Sequence, residues 1–193
     1  MTAEASQRGA AGAPSEPGKV DFSLWDEKRI AAYKESLEAT MDDPIGVLVI
    51  PKLALEVPVF DGTDDLVLNR GAGRIIGTAR PGQAGNMGIA GHRDGFFRGL
   101  KDLQLGDRIE LTTLNGKNTY IIDRFDIVDP DDVSVLEPRE RPALTLVTCY
   151  PFYFVGHAPQ RYIVRAIVAE PDLPSNRKPN SEVKTTDKQE VTK

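Results

Sequence analysis

From Ile45 to Ala169 the chain is a succession of short apolar or alternating runs cut by Gly, Pro, Asn and Asp. In order they read IGVLVI, LEVPVF, RIIGT, MGIAG, RIELTTL, TYIIDRFDIV, ALTLVTC and RYIVRAIVA. Each reads as a short β-like run. Eight such runs with turn residues between them predict an all-β domain, a sandwich or a closed barrel. ALTLVTC is apolar on both faces and predicts a central, well-buried strand. RYIVRAIVA alternates, with Tyr162, Val164, Ala166 and Val168 on one face and Arg161, Ile163 and Arg165 on the other.

The flanks have other patterns. Ser23 to Met41 predicts a helix, with Ser23 as its cap, Asp26 in the capping-box position and Ile30, Tyr33, Leu37 and Met41 forming one apolar stripe. Asp42-Asp43-Pro44 is expected to end it. Short helical turns are expected at 64–69 and 96–103. Residues 1–20 and 171–193 hold little to bury and predict disordered segments around one folded domain, 21–170.

Charge and composition narrow the function. Lys and Arg number 24 against 29 Asp and Glu, a net −5, which argues against a nucleic-acid partner. A single cysteine forbids an internal disulfide, and one Cys with two distant His does not make a structural zinc site. No apolar run approaches the roughly 18–20 residues that cross a bilayer, and MTAEASQRGA lacks the basic-then-apolar order of a secretory signal, so the chain as written reads as soluble.

The chemistry concentrates at strand ends. Cys149 closes ALTLVTC, and His92 follows a β-like run among glycines in GNMGIAGHRDGFFRGL. If ALTLVTC and RYIVRAIVA pair antiparallel around the loop 150–160, Cys149 falls opposite Arg161, whereas Arg165 falls nearer Thr145. A thiol, an imidazole and a guanidinium at strand ends fit a nucleophile, a proton carrier and an oxyanion donor. Free cysteine is equally a common buried core residue. A strand-end histidine is often structural, and a lone arginine is often a surface charge. His157, in the loop beside Gly156 and Pro159, suits substrate lining or plain exposure. On spacing alone these alternatives stand side by side.

The same residues carry a resemblance. TLVTC resembles the TLxTC signature of sortases, the arginine in QRYIVRA resembles their essential arginine, and GIAGHRDGFFRGL resembles their histidine segment. CYPFYFVGHAPQRYIVRA, together with the helix LWDEKRIAAY, is most similar to class D sortases, and the likeness runs from Leu24 to Ala169. It implies an eight-stranded sortase-like β-barrel with short helices and an N-terminal helix.

The resemblance further implies a cysteine transpeptidase that cuts an LPxTG-like sorting signal after its Thr and passes the acyl group to an amine. By motif, Cys149 is the nucleophile, His92 the general acid/base and Arg161 the oxyanion and substrate-positioning residue. Thr148, Tyr162 and His157 are expected to line the substrate groove. The implied partners are a protein with a C-terminal sorting signal and an amine acceptor such as a cell-wall or surface component. The implied location is extracytoplasmic, through a membrane anchor that such sortases carry just before the helix at Leu24. None is present here, so a truncated or atypical start is expected, with Met1–Lys19 partly foreign.

No cofactor is expected. Some sortases use calcium, for which Asp126, Asp129, Asp131 and Asp132 are the candidates, but their irregular spacing favours a solvated loop. Rival readings are a cysteine peptidase that only hydrolyses, an L,D-transpeptidase and a non-catalytic β-barrel binding module with Cys149 buried. The L,D-transpeptidase cysteine typically follows Ser-His-Gly rather than Thr-Leu-Val-Thr.

Overall fold

Alternation of apolar and polar residues lets a strand bury one face and solvate the other, and closing the sheet gives every buried face a common interior. A computed structural model describes residues 20–153 and 158–169. Eight strands form a closed barrel: β1 (Gly46–Ile50), β2 (Leu55–Asp61), β3 (Ala72–Arg74), β4 (Asn86–Ala90), β5 (Arg108–Thr113), β6 (Gly116–Val128), β7 (Ala143–Tyr150) and β8 (Gln160–Val168). Around the barrel the order is β1-β2-β3-β4-β7-β8-β6-β5. The pairs β2/β3 and β4/β7 are parallel and the others antiparallel. Leu48 and Ile50 of β1, Ile109 and Leu111 of β5, Leu144 and Leu146 of β7, and Val164 and Ala166 of β8 fill the interior. Burying each of the larger aliphatic side chains contributes about 1.5–3 kcal/mol relative to leaving it in water.

The double burial of β7 has two causes. The strand lies between β4 and β8, and its outer face is covered by the turn at Val133–Leu136. Thr145 donates to Asn86 Oδ1 at 2.8 Å, and Asn86 Nδ2 donates to the carbonyls of Val135 (3.1 Å) and Glu137 (3.2 Å). The polar atoms that this covering buries are thereby paired with one another.

Several expectations are corrected. The run RIIGT is not a strand: β3 ends at Arg74, and Ile75–Thr78 forms a turn closed by Thr78 N–H to the Ile75 carbonyl at 3.2 Å. Arg74 holds that turn by donating to Thr78 O at 2.7 Å while pairing with Asp61 at 2.6 Å.

The N-terminal helix α1 spans only Glu27–Ser36. Asp26, not Ser23, is its cap, accepting the Arg29 N–H at 2.8 Å, while Ser23 N–H is taken by Asp21 at 2.9 Å. At the other end Arg70 hydrogen-bonds to the Ser36 carbonyl and to the Ala39 carbonyl at 3.0 Å. A cation on the last carbonyls stops the helix six residues before Asp42. Leu37 therefore leaves the predicted stripe and is exposed, whereas Tyr33 packs on the core.

The expected helical turns are present. Helix α2 (Asp65–Arg70) is capped by Asp64, and a 3-10 turn spans Phe96–Asp102. Val20, at the end of the segment expected to be disordered, packs against the core; residues 1–19 and 170–193 lie outside the described residues.

Candidate active site

Strand register brings the three candidate residues level. In the parallel ladder of β4 and β7, Ala90 pairs with Val147. The ladder is prolonged by Gly91 N–H to the Val147 carbonyl at 3.1 Å. Two residues past each partner stand His92 and Cys149, in the same phase and at the same end of adjacent strands. On the other side of β7, Cys149 is the Cα partner of Arg161, and Thr145 is the partner of Arg165, as the antiparallel pairing predicted. Cys149 thus sits on the middle strand of three, with neighbouring strands about 5 Å away on each side. The same parity turns Leu144, Leu146, Val164 and Ala166 inward, so Cys149 and Arg161 take the outer face.

That face opens on a cavity of about 390 Å³ lined by His92, Cys149 and Arg161, with Ala90, Leu68, Ile75 and Val147 supplying apolar wall. Cys149 is a free, half-buried thiol, not a core residue. Arg161 donates through Nη1 to the carbonyls of Gln160 at 3.0 Å and Ala158 at 3.3 Å. A guanidinium carries five N–H donors, so these bonds orient the group without exhausting it.

His92 leads into a tight turn whose N–H groups from Gly95 (3.1 Å) and Phe97 (3.2 Å) both donate to its carbonyl. A β-carbon on Gly91 would lie 2.7 Å from the Phe97 ring, so the residue before His92 is a glycine for want of space. Two arginines sew this turn to the loop after β7: Arg93 donates to the Pro151 carbonyl and Arg98 to the Phe152 carbonyl, each at 3.0 Å. Burial lowers the His92 pKa below its usual value, and the Arg29 charge lowers it further; Asp94 and Asp65 pull the other way. His92 is therefore held toward its neutral form.

The remaining predicted site residues divide. Thr148 lines the cavity, but its side chain is buried and donates to the Gly91 carbonyl at 2.7 Å, which makes it a brace between β7 and the His92 turn. Tyr162 does not reach the cavity. It points to the other face of β8, stacked with Tyr150 at 6.2 Å and edge-on to Phe152 at 5.2 Å. Adjacency to Arg161 in sequence means opposition across the sheet, because successive side chains alternate faces. His157 lies outside the described residues. Of the aspartates considered for calcium, Asp126 pairs with Arg124 at 2.7 Å, and Asp132 accepts the Ser134 N–H at 3.0 Å.

Sequence reasoning missed Arg29 of α1, which donates to Asp94 of the His92 turn and to Asn69 of α2. No local pattern signals these bonds, because 65 and 40 residues separate the partners.

A family model described as Sortase domain matches residues 48–169. Sortase D of Bacillus subtilis is 39% identical over 135 residues, covering 69% of this chain and 68% of that one. Sortase A of Bacillus anthracis is 30% identical over 151 residues, 75% of this chain and 69% of its own length. Among solved structures, a Clostridium perfringens Sortase D5 transpeptidase superposes with a TM-score of 0.61 at 32% identity, covering 77% of this chain and 91% of that one.

Proposed function

The chain belongs to the sortase family of cysteine transpeptidases, and from that premise we propose that Cys149, His92 and Arg161 carry the reaction. Sortases act on proteins bearing sorting signals and on amine acceptors. The finer reading is an LPxTG-like signal cut after its Thr, with a cell-wall or surface component as the acceptor. The setting proposed is the outer side of the cell membrane; among the described residues no helix is long and apolar enough to cross one.

The steps follow from the chemistry of the three groups. His92, neutral because burial disfavours its charge, takes the Cys149 Sγ proton as sulfur bonds to the Thr carbonyl carbon. The oxygen gains negative charge, which the Arg161 guanidinium stabilises. The C–N bond then breaks, His92 gives its proton to the leaving amine, and a thioester remains. The acceptor amine attacks that thioester and loses a proton to His92. Expulsion of the sulfur, reprotonated by His92, leaves a new amide. Nucleophile, proton carrier and oxyanion donor all come from the chain, so no cofactor enters the proposal.

The alignment of Cys149 with Arg161 across β7 and β8, on the cavity that His92 also lines, carries this reading. Incubation with a sorting-signal peptide, with and without an added glycine peptide, tests it. The ligated peptide should form only with the amine present. A product that is always the free acid would mean a peptidase.

A further inference from the structure

We infer that Arg29 of α1 is a positioning residue for His92: bonded to Asp94 and Asn69, it holds the His92 turn in place and sets a guanidinium charge near the imidazole. This rests on His92 being the proton carrier proposed above.

Arg29 lies in the first turn of α1, far from the cysteine in sequence, yet its head group is mostly enclosed. Its Nε donates to Asp94 Oδ1 at 3.0 Å, and its Nη2 reaches Asp94 Oδ2 at 3.5 Å. Nη1 donates to Asn69 Oδ1 at 2.6 Å. One planar fork therefore joins α1 to the His92 turn and to α2, whose Leu68 walls the cavity. Lysine, a point charge on a flexible stem, cannot serve both partners in that plane.

Arg29 and His92 flank the same glycine. The site where a β-carbon on Gly95 would sit is 3.5 Å from Arg29 Cδ and 3.6 Å from His92 Cβ. The helix and the residue before its cap are seated by aromatic contacts: Tyr33 of α1 meets Phe96 at 5.9 Å and Trp25 meets Phe96 at 4.8 Å, both edge-on. Those contacts hold α1 against the turn without involving a charge, so they leave the ion pair free to act on the imidazole.

The charges that act on His92 and the polar groups that share its cavity come from several elements. They are Arg29 from α1, Asp65 from α2, Asp94 from its own turn, and Cys149 and Arg161 across the cavity from β7 and β8. After burial, Arg29 is the largest influence on the imidazole and opposes protonation, whereas Asp94 favours it. The two members of the ion pair thus push His92 in opposite directions while jointly fixing its turn.

That opposition supplies the test. The chain has two histidines, so labelling histidine and comparing with His157→Gln assigns the His92 resonance in the full-length protein. Its titration is followed without substrate in the parent, Arg29→Gln, Arg29→Lys and Asp94→Asn. Arg29→Gln should raise the His92 midpoint, Asp94→Asn should lower it, and Arg29→Lys should fall between the parent and Arg29→Gln. The limb of the kcat/KM profile that follows His92 should move in the same order. Mere loosening of the turn would move both single variants the same way, because each breaks the same ion pair. That result, or an unmoved midpoint in Arg29→Gln, overturns the inference. The midpoint is read without turnover, so a failed catalytic assignment would show separately, as activity surviving His92→Ala.

Discussion

Replacing Thr148 by Val keeps the branched shape and exchanges one hydroxyl for a methyl. The position is 2% exposed, so the change is felt in the interior. The hydroxyl donates at 2.7 Å to the carbonyl of Gly91, which is itself buried. Removing the donor leaves that carbonyl without this partner, at a cost of about 1–3 kcal/mol. For a chain of this size ~2 kcal/mol corresponds to a melting temperature lower by roughly 4–8 °C. The lost bond also frees the backbone just before His92, so kcat should fall more than KM rises. Thermal melts followed by circular dichroism, with steady-state peptide cleavage resolved into kcat and KM, measure both effects. Thr148→Ser, which keeps the donor, should recover most of the kcat. An unchanged melting temperature with a rise in KM alone would show that Thr148 contacts substrate and is not a brace.

The two arginines of β8 should separate. Arg161→Lys should lose nearly as much kcat/KM as Arg161→Ala, because a lysine head cannot present a planar pair of donors. Arg165→Ala should retain most activity but lose stability, since Arg165 lies beside Asp126 at 3.9 Å and four residues from the cysteine's partner; the opposite ranking in peptide-cleavage assays would refute the register. Acid should destabilise the fold through His92. The unfolded chain takes up a proton near pH 6.5, whereas the folded protein resists until lower pH, so stability falls as pH drops from 6.5 through the folded midpoint. In urea titrations across that window His92→Gln should flatten the slope; an identical slope in the two proteins would contradict this.

The pattern of short runs placed most of the strands, because period-two alternation is local and survives in the folded protein, but it left sandwich and barrel open, since closure depends on which distant strands pair. RIELTTL and RYIVRAIVA lie almost residue for residue on β5 and β8. RIIGT misled because its apolar pair splits: Ile75 walls the cavity, whereas Ile76 is 66% exposed. Both isoleucines lie in a turn shaped by Arg74, whose partner Asp61 is 13 residues away. The end of α1 was hidden for the same reason, since the arginine that stops it comes from α2. At the site, antiparallel pairing alone singles out Arg161 over Arg165 as the partner of Cys149. Tyr162 lies on the face of β8 opposite Arg161, because a sheet sends neighbours to opposite faces, and it lines a separate groove with Tyr150 and Phe152. Arg29 and Asp94 were invisible, as their contact exists only once α1 has docked.

Mass spectrometry of the acyl-enzyme tests the central claim most directly. The full chain is mixed with a peptide carrying an LPxTG-like signal, quenched in acid, weighed intact and then digested to locate the adduct. The chain has one cysteine, so a thioester has one place to form. The account predicts an adduct equal to the peptide's N-terminal fragment ending in Thr, carried on Cys149 and discharged as a new amide when an amine is added. It predicts no adduct and no cleavage in Cys149→Ala. Cleavage that persists in Cys149→Ala, or an adduct mapped to any other residue, would contradict it.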